Sequence, residues 1–199
     1  DRISIECRVS GQTTPIATAV LDVLADPFGL VFDGEDGTPV SGARVSLVDA
    51  LTGAPARVFA DDGVTAYPPS MISGQPVTDA AGNVFPMQPG EYRFPLAPLG
   101  QYRLLVEPPA PYSAPSLAPL TQLASLTRPD GQPLRILDGS FGRPFSLSDP
   151  SAVRVDIPLD RPSLAVSLSK SVSRLNATPG DVVFYTITAR NQDDRARRQ

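Results

Sequence analysis

Apolar side chains recur at every second position in short bursts along this chain, and the bursts are separated by glycine, proline and aspartate. Ala43, Val45 and Leu47 alternate with Arg44, Ser46 and Val48. Tyr92, Phe94 and Leu96 alternate with Arg93 and Pro95, and Tyr102, Leu104 and Val106 with Arg103, Leu105 and Glu107. Val153, Val155, Ile157 and Leu159 alternate with Arg154, Asp156, Pro158 and Asp160. A period of two directs one set of side chains to a core and the other to water. The pattern therefore predicts short antiparallel strands folded into an all-β sandwich. Leu30–Phe32 and Arg57–Ala60 predict shorter strands. Pro98-Leu99-Gly100 predicts a hairpin joining Tyr92–Leu96 to Tyr102–Val106. Asp33–Gly37 and Thr78–Asn83 predict tight polar turns. Residues 115–150 are rich in Pro, Gly and Ser and predict a long decorated loop, with one short strand at Leu134–Leu137 and one short helix within Leu120–Leu126.

The ends follow the same rhythm. Ile3, Ile5, Cys7 and Val9 mark one strand, and Ile16–Leu24 a second, with Gly11–Pro15 as the turn. Asp26-Pro27 then breaks the run, because the residue before proline is pushed into an extended form. After Arg161-Pro162, Leu164, Val166 and Leu168 begin a new pattern. Pro179-Gly180-Asp181 turns the chain into Val183, Tyr185, Ile187 and Ala189, and a charged tail, Asp193–Arg198, follows. Two strands do not make a stable sandwich. The expected organisation is strands of a preceding or shared module over 1–26, a sandwich over 27–161, and the first strands of a following module over 162–199. Open edges recruit strands. These ends are expected to pair with one another, with neighbouring modules, or between copies as strand exchange that builds a fibre.

Composition narrows the classes. The 23 prolines among 199 residues are about twice the usual share and imply many joints and edges. A net charge of −4 without a basic face argues against nucleic acid as a partner. No apolar run is long enough for a membrane-spanning helix, and no signal peptide is expected within these residues. A chain opening at Asp1 is expected to be a mature form or an excised piece. One cysteine excludes an internal disulfide. Cys7, in phase with Ile3 and Ile5, is expected to be a buried thiol; the alternative is a bridge to a partner outside.

The run GLVFDGEDGTPVSGARVSL with PGEYRFPLAPLGQYRLLVEPPAPY resembles the Cna-B, or serine-aspartate-adhesin B-type, module, a transthyretin-like sandwich also described as carboxypeptidase-regulatory-like. Gly29, Pro39, Gly42-Ala43 and the late Gly-x-Tyr runs carry the likeness over about 27–161. The segment SLAVSLSKSVSRLNATPGDVVFYTITARN resembles the opening of an immunoglobulin-like repeat found in tandem on large secreted bacterial proteins. The resemblance implies a spacer or adhesive unit of a secreted or bacterial cell-surface protein. Such modules often carry a Lys–Asn or Lys–Asp isopeptide bond. Here the one lysine is Lys170, past the module, so none can form within 27–161. The relatives include calcium binders, and Asp33, Glu35 and Asp36 are the candidate ligands, since calcium takes six to eight oxygens; the alternative is a solvated polar loop.

Other chemistry is hard to assemble. The chain has no histidine, which excludes a Ser-His-Asp set and leaves no zinc cluster. Ser167-Leu168-Ser169-Lys170 spells S-x-x-K, but in a strand positions three apart face opposite ways. Asp61-Asp62 reads as a polar turn. Asn176-Ala177-Thr178 spells a glycosylation acceptor, which reads as a turn in a bacterial protein. Tyr67, Tyr112 and Phe141 sit among prolines and glycines. They either contact a sugar or protein ligand or plug the open ends of the sandwich. The expectation is a structural or adhesive module without catalysis; the alternative is a carbohydrate- or peptide-binding module using its loops.

Overall fold

The computed structural model describes residues 2–162, 167–174, 176 and 178–190. The chain divides into two compact units, 1–161 and 162–199. The expected strand start at Leu164 and Val166 and the charged tail lie outside the described residues, as does Ala177 of the glycosylation sequon.

The first unit opens with β1 (Arg2–Cys7), β2 (Ala17–Asp22), β3 (Leu24–Ala25), β4 (Pro27–Asp33), β5 (Arg44–Asp49), β6 (Val58–Phe59), β7 (Ala66–Tyr67) and β8 (Ser70–Ile72). It continues with β9 (Val77–Thr78), β10 (Val84–Phe85), β11 (Glu91–Arg93), β12 (Ala97–Pro98), β13 (Gly100–Glu107), β14 (Phe145–Leu147), β15 (Val153–Arg154) and β16 (Ile157–Leu159). The single α-helical turn is α1 (Leu120–Leu123), and Asp138–Phe141 is a 3-10 turn. The fold is all-β, as the alternation predicts.

Two sheets enclose the core. One is ordered β11–β4–β15, with β16 continuing along β4; the other is β14–β13–β5–β8. Val31, Val45, Leu47, Tyr92, Phe94, Leu104, Leu147, Val155, Ile157 and Leu159 fill the space between them, all essentially inaccessible. The phase read from β13 holds: Tyr102 and Leu104 are buried, while Arg103, Leu105 and Glu107 face water; in β5 Val45 and Leu47 are buried as expected, but Val48, expected on the solvent side, is buried too.

Three arrangements differ from the expectation. First, Tyr92–Leu96 and Tyr102–Val106 do not form a hairpin. β11 pairs with β4, whereas β13 pairs with β5 and β14 in the opposite sheet. Pro95 and Pro98 lack the N–H groups a ladder requires, and β12 between them pairs with β3. Second, the closing segment is parallel, with Val153 opposite Pro27 and Ile157 opposite Val31. It is buried on both faces from Val155 to Leu159, the usual state of a parallel strand. Third, the 115–150 loop forms an outer layer. Leu123 and, partly, Leu126, Leu134, Ile136 and Phe141 cover Leu30 and Phe32 on the outer face of β4. Leu134–Leu137 has no strand pairing there.

The β1–β2 ribbon pairs antiparallel, Ile3 opposite Leu21 and Cys7 opposite Ala17. Cys7 is exposed and free rather than buried: a two-stranded ribbon has no second layer of its own to cover a side chain. The second unit holds β17 (Ser167–Val172) against β18 (Tyr185–Arg190), with Leu168 opposite Ala189 and Val172 opposite Tyr185. In the intervening turn Asp181 Oδ2 accepts from the Thr178 N–H at 3.0 Å.

Candidate functional site

The Asp33 loop is a closed polar knot. The Asp33 N–H donates to Thr38 O at 2.8 Å, and Gly37 N–H returns to Asp33 O at 2.8 Å. The Asp33 carboxylate, wholly buried, accepts from Glu35 N–H at 2.9 Å and from the Tyr112 hydroxyl at 2.9 Å. Arg161, directly after the closing strand, pairs with Asp33 and reaches Asp36 Oδ2 at 3.3 Å. Its guanidinium also lies 6.0 Å from the Tyr112 ring centre. Partial burial pushes the Asp36 carboxyl up, but the Thr38 hydrogen bonds and Arg161 together outweigh this and hold it below the ordinary value. So two of the three candidate calcium ligands, Asp33 and Asp36, meet on Arg161, and Glu35 points its exposed side chain away from burial. Among the described residues no three acidic or otherwise metal-ligating side chains converge. Arg161 is the partner that pattern reading passed over. An arginine immediately after a closing strand, in a chain with an acidic hairpin loop, was the available signal.

Tyr112 is half-buried in this knot, and Phe141 is half-buried over the outer face of β4. Tyr67 lies elsewhere. It ends β7, is 3% exposed, and meets Phe85 of β10 edge-on with ring centres 5.4 Å apart. Burial pushes its hydroxyl up to about 12.

Tyr67 and Phe85 belong to a cleft of about 500 Å³ that also draws on Phe28 of β4, Met87, Arg93 of β11 and Arg154 of β15. Its charges are tied in pairs. Arg93 Nε donates to Asp26 Oδ2 at 3.0 Å, and Nη2 reaches Asp61 Oδ1 at 2.7 Å. Arg154 Nε sits 3.0 Å from both oxygens of Asp156 and its guanidinium stacks 5.3 Å over the Phe28 ring. Two buried polar atoms of the lining residues have no hydrogen-bond partner, Asp26 Oδ1 and the Tyr67 hydroxyl. Asp62, next to Asp61, is a turn residue that accepts from Val64 and Thr65. Asp61 and Asp62 thus have separate partners.

A different surface appears on the β17–β18 ribbon. Leu168 (72%), Ile187 (69%) and Tyr185 (61%) are exposed on one face, and Phe184 (70%), just before β18, is exposed on the other. Lys170 lies in β17 with its Nζ 4.2 Å over the Tyr185 ring. In comparisons with known proteins, the chain matches no family model, no curated protein and no solved structure.

Proposed function

We propose that this chain is a non-catalytic structural and adhesive module of a larger secreted or cell-surface protein, and that it joins neighbouring modules or other copies through its terminal strands. The resemblance of its central run to Cna-B modules and of its last strands to a bacterial immunoglobulin-like repeat supports this reading. The observation that carries it is the uncovered apolar side of the β17–β18 ribbon. Each large apolar side chain left in water forgoes about 1.5–3 kcal/mol of burial, and two strands alone are marginal. A strand or sheet laid on that face removes both deficits. Sedimentation velocity over a wide concentration range tests it. The chain should associate as concentration rises, and Ile187→Asp should abolish the association while the melting of the first unit stays unchanged. A strict monomer at every concentration would rule out pairing between copies.

The cleft beside Tyr67 favours a second reading, a carbohydrate- or peptide-binding module.

A further inference from the structure

We propose that the cleft between β4, β7, β10 and β11 is a saccharide site, which takes the apolar face of a neutral sugar ring on Phe85 and Pro86 and its hydroxyls on Asp26 and Tyr67. The inference rests on the second reading above and names its ligand class. Three features of the cleft select that chemistry.

The first is volume and lining. About 500 Å³ falls in the range of small-molecule sites, which are mostly apolar with a few placed polar groups. Phe28, Phe85, Pro86, Met87 and Pro95 supply the apolar part. Aromatic faces and edges suit the C–H surface of a ring.

The second is charge. Asp26 and Glu91 line the cleft with Arg93 and Arg154, and Asp61 and Asp156, outside the lining, pair with those arginines, four carboxylates to two guanidiniums. Arg93 is clamped between two carboxylates and Arg154 is held by one. An excess of negative charge repels a phosphate or carboxylate ligand, whereas a neutral polyol is not penalised.

The third is the pair of polar atoms without partners. Asp26 Oδ1 can only accept, and the Tyr67 hydroxyl can donate or accept. Such groups cost stability when buried alone. A ring with adjacent hydroxyls offers a donor to the carboxylate and either role to the phenol.

The competing occupant, an extended peptide, would add a strand to the sheet edge beside the cleft. Of the two edges, β15 is only two residues long, and the backbone of β11 is already engaged. Glu91 N–H donates to Gln88 O at 2.9 Å and Glu91 O accepts from Gly74 N–H at 2.8 Å. Arg93 N–H donates to the Met71 sulfur at 3.4 Å.

The test uses the full 199-residue chain, a panel of methyl glycosides of common hexoses and N-acetylhexosamines, an oligosaccharide array and a proline-rich peptide. Saturation-transfer NMR should show at least one glycoside on the protein, and titration of that glycoside gives the affinity. Tyr67→Phe removes one hydrogen bond and should weaken binding about tenfold, while the free protein melts at the same temperature or higher because a buried hydroxyl without a partner is gone. Phe85→Leu keeps the apolar volume but loses the ring, and should also weaken binding. Sugar binding untouched by both variants would overturn this cleft while leaving a binding module in place. Peptide binding without sugar binding would do the same. No binding to any probe would overturn the inference and the second reading together.

Discussion

Asp156→Ala is the sharpest probe of the architecture. The side chain is wholly buried, at a position that the two-residue rhythm of the closing segment assigns to the solvent side. Its Oδ1 accepts from Leu30 N–H at 2.9 Å and its Oδ2 from Arg135 N–H at 2.7 Å. It thus ties β4 to both the closing segment and the outer loop layer. Alanine leaves two main-chain donors without acceptors in a dry site. Each such donor costs about 1–3 kcal/mol. Arg154, a quarter exposed, can turn its guanidinium towards water and adds little. Relief of the buried charge offsets part of the loss, so the net is about 3 kcal/mol. That is a large share of the roughly 5–15 kcal/mol that holds a domain together. At about 2–4 °C per kcal/mol for a protein of this size, the melting temperature should fall by about 10 °C. Asp156→Asn keeps one acceptor and should lose about half as much. Circular dichroism melts and urea midpoints measure both. If Asp156→Ala melts within about 2 °C of the parent, the carboxylate does not hold these donors and the parallel placement of the closing segment is wrong.

Two other outcomes follow from the same packing. Gly29→Ala would put a Cβ 1.9 Å from the Val155 carbonyl oxygen, so β4 and the closing segment must separate; the urea midpoint should drop by the equivalent of about 3 kcal/mol or more, or the protein should be insoluble. Raising the pH should unfold the first unit. Burial pushes the Tyr67 hydroxyl up to about 12 and raises those of Tyr92, Tyr102 and Tyr112. The folded state therefore holds these protons more tightly than the unfolded one. Its advantage is complete below the ordinary tyrosine value and is lost as pH climbs through the raised ones. Absorbance at the tyrosinate band should show these four ionising together with the loss of the β signal; smooth ionisation in a still-folded protein would contradict their burial.

Alternation reported faces well and neighbours poorly. It found β13 with the right residues inside, because that strand has one wet face and one dry one; in β5 it placed Val45 and Leu47 correctly and missed the burial of Val48. It misjudged the closing segment, where both faces are dry, and marked only Leu30–Phe32 of β4. Asp156 looks like a solvent residue in the pattern and becomes a buried acceptor only because the outer layer covers it. That layer is built by Leu123, Leu126, Leu134, Ile136 and Phe141, of which only Leu123 belongs to a helix, the single turn α1. The hairpin error has the same root: Pro98-Leu99-Gly100 signals a change of direction, and nothing local says that the chain also changes sheet. Of the candidate site residues, Tyr67 was legible as an aromatic beside prolines. Its neighbours Phe28, Phe85 and Arg154 come from segments far apart in the chain and meet only through the sheet order.

The distribution of strand edges supports placing the proposed association at the ribbons. In the first unit the outer strands of the two sheets are short: β8, β11 and β14 each have three residues. The outer side of β11 is occupied by Gly74 and Met71. Short, occupied edges make poor templates for another chain. The acidic loop after β4 is likewise neutralised from within, by Arg161 and Tyr112. The β1–β2 and β17–β18 ribbons are built differently. Their strands have six residues each, and among the described residues each strand is paired along one side alone. Long open edges beside exposed Tyr185 and Ile187 combine free backbone donors and acceptors with apolar surface, the two ingredients that strand addition requires. Short edges on the sandwich and long, singly paired edges on the ribbons are the physical basis for proposing the ribbons as the place of association.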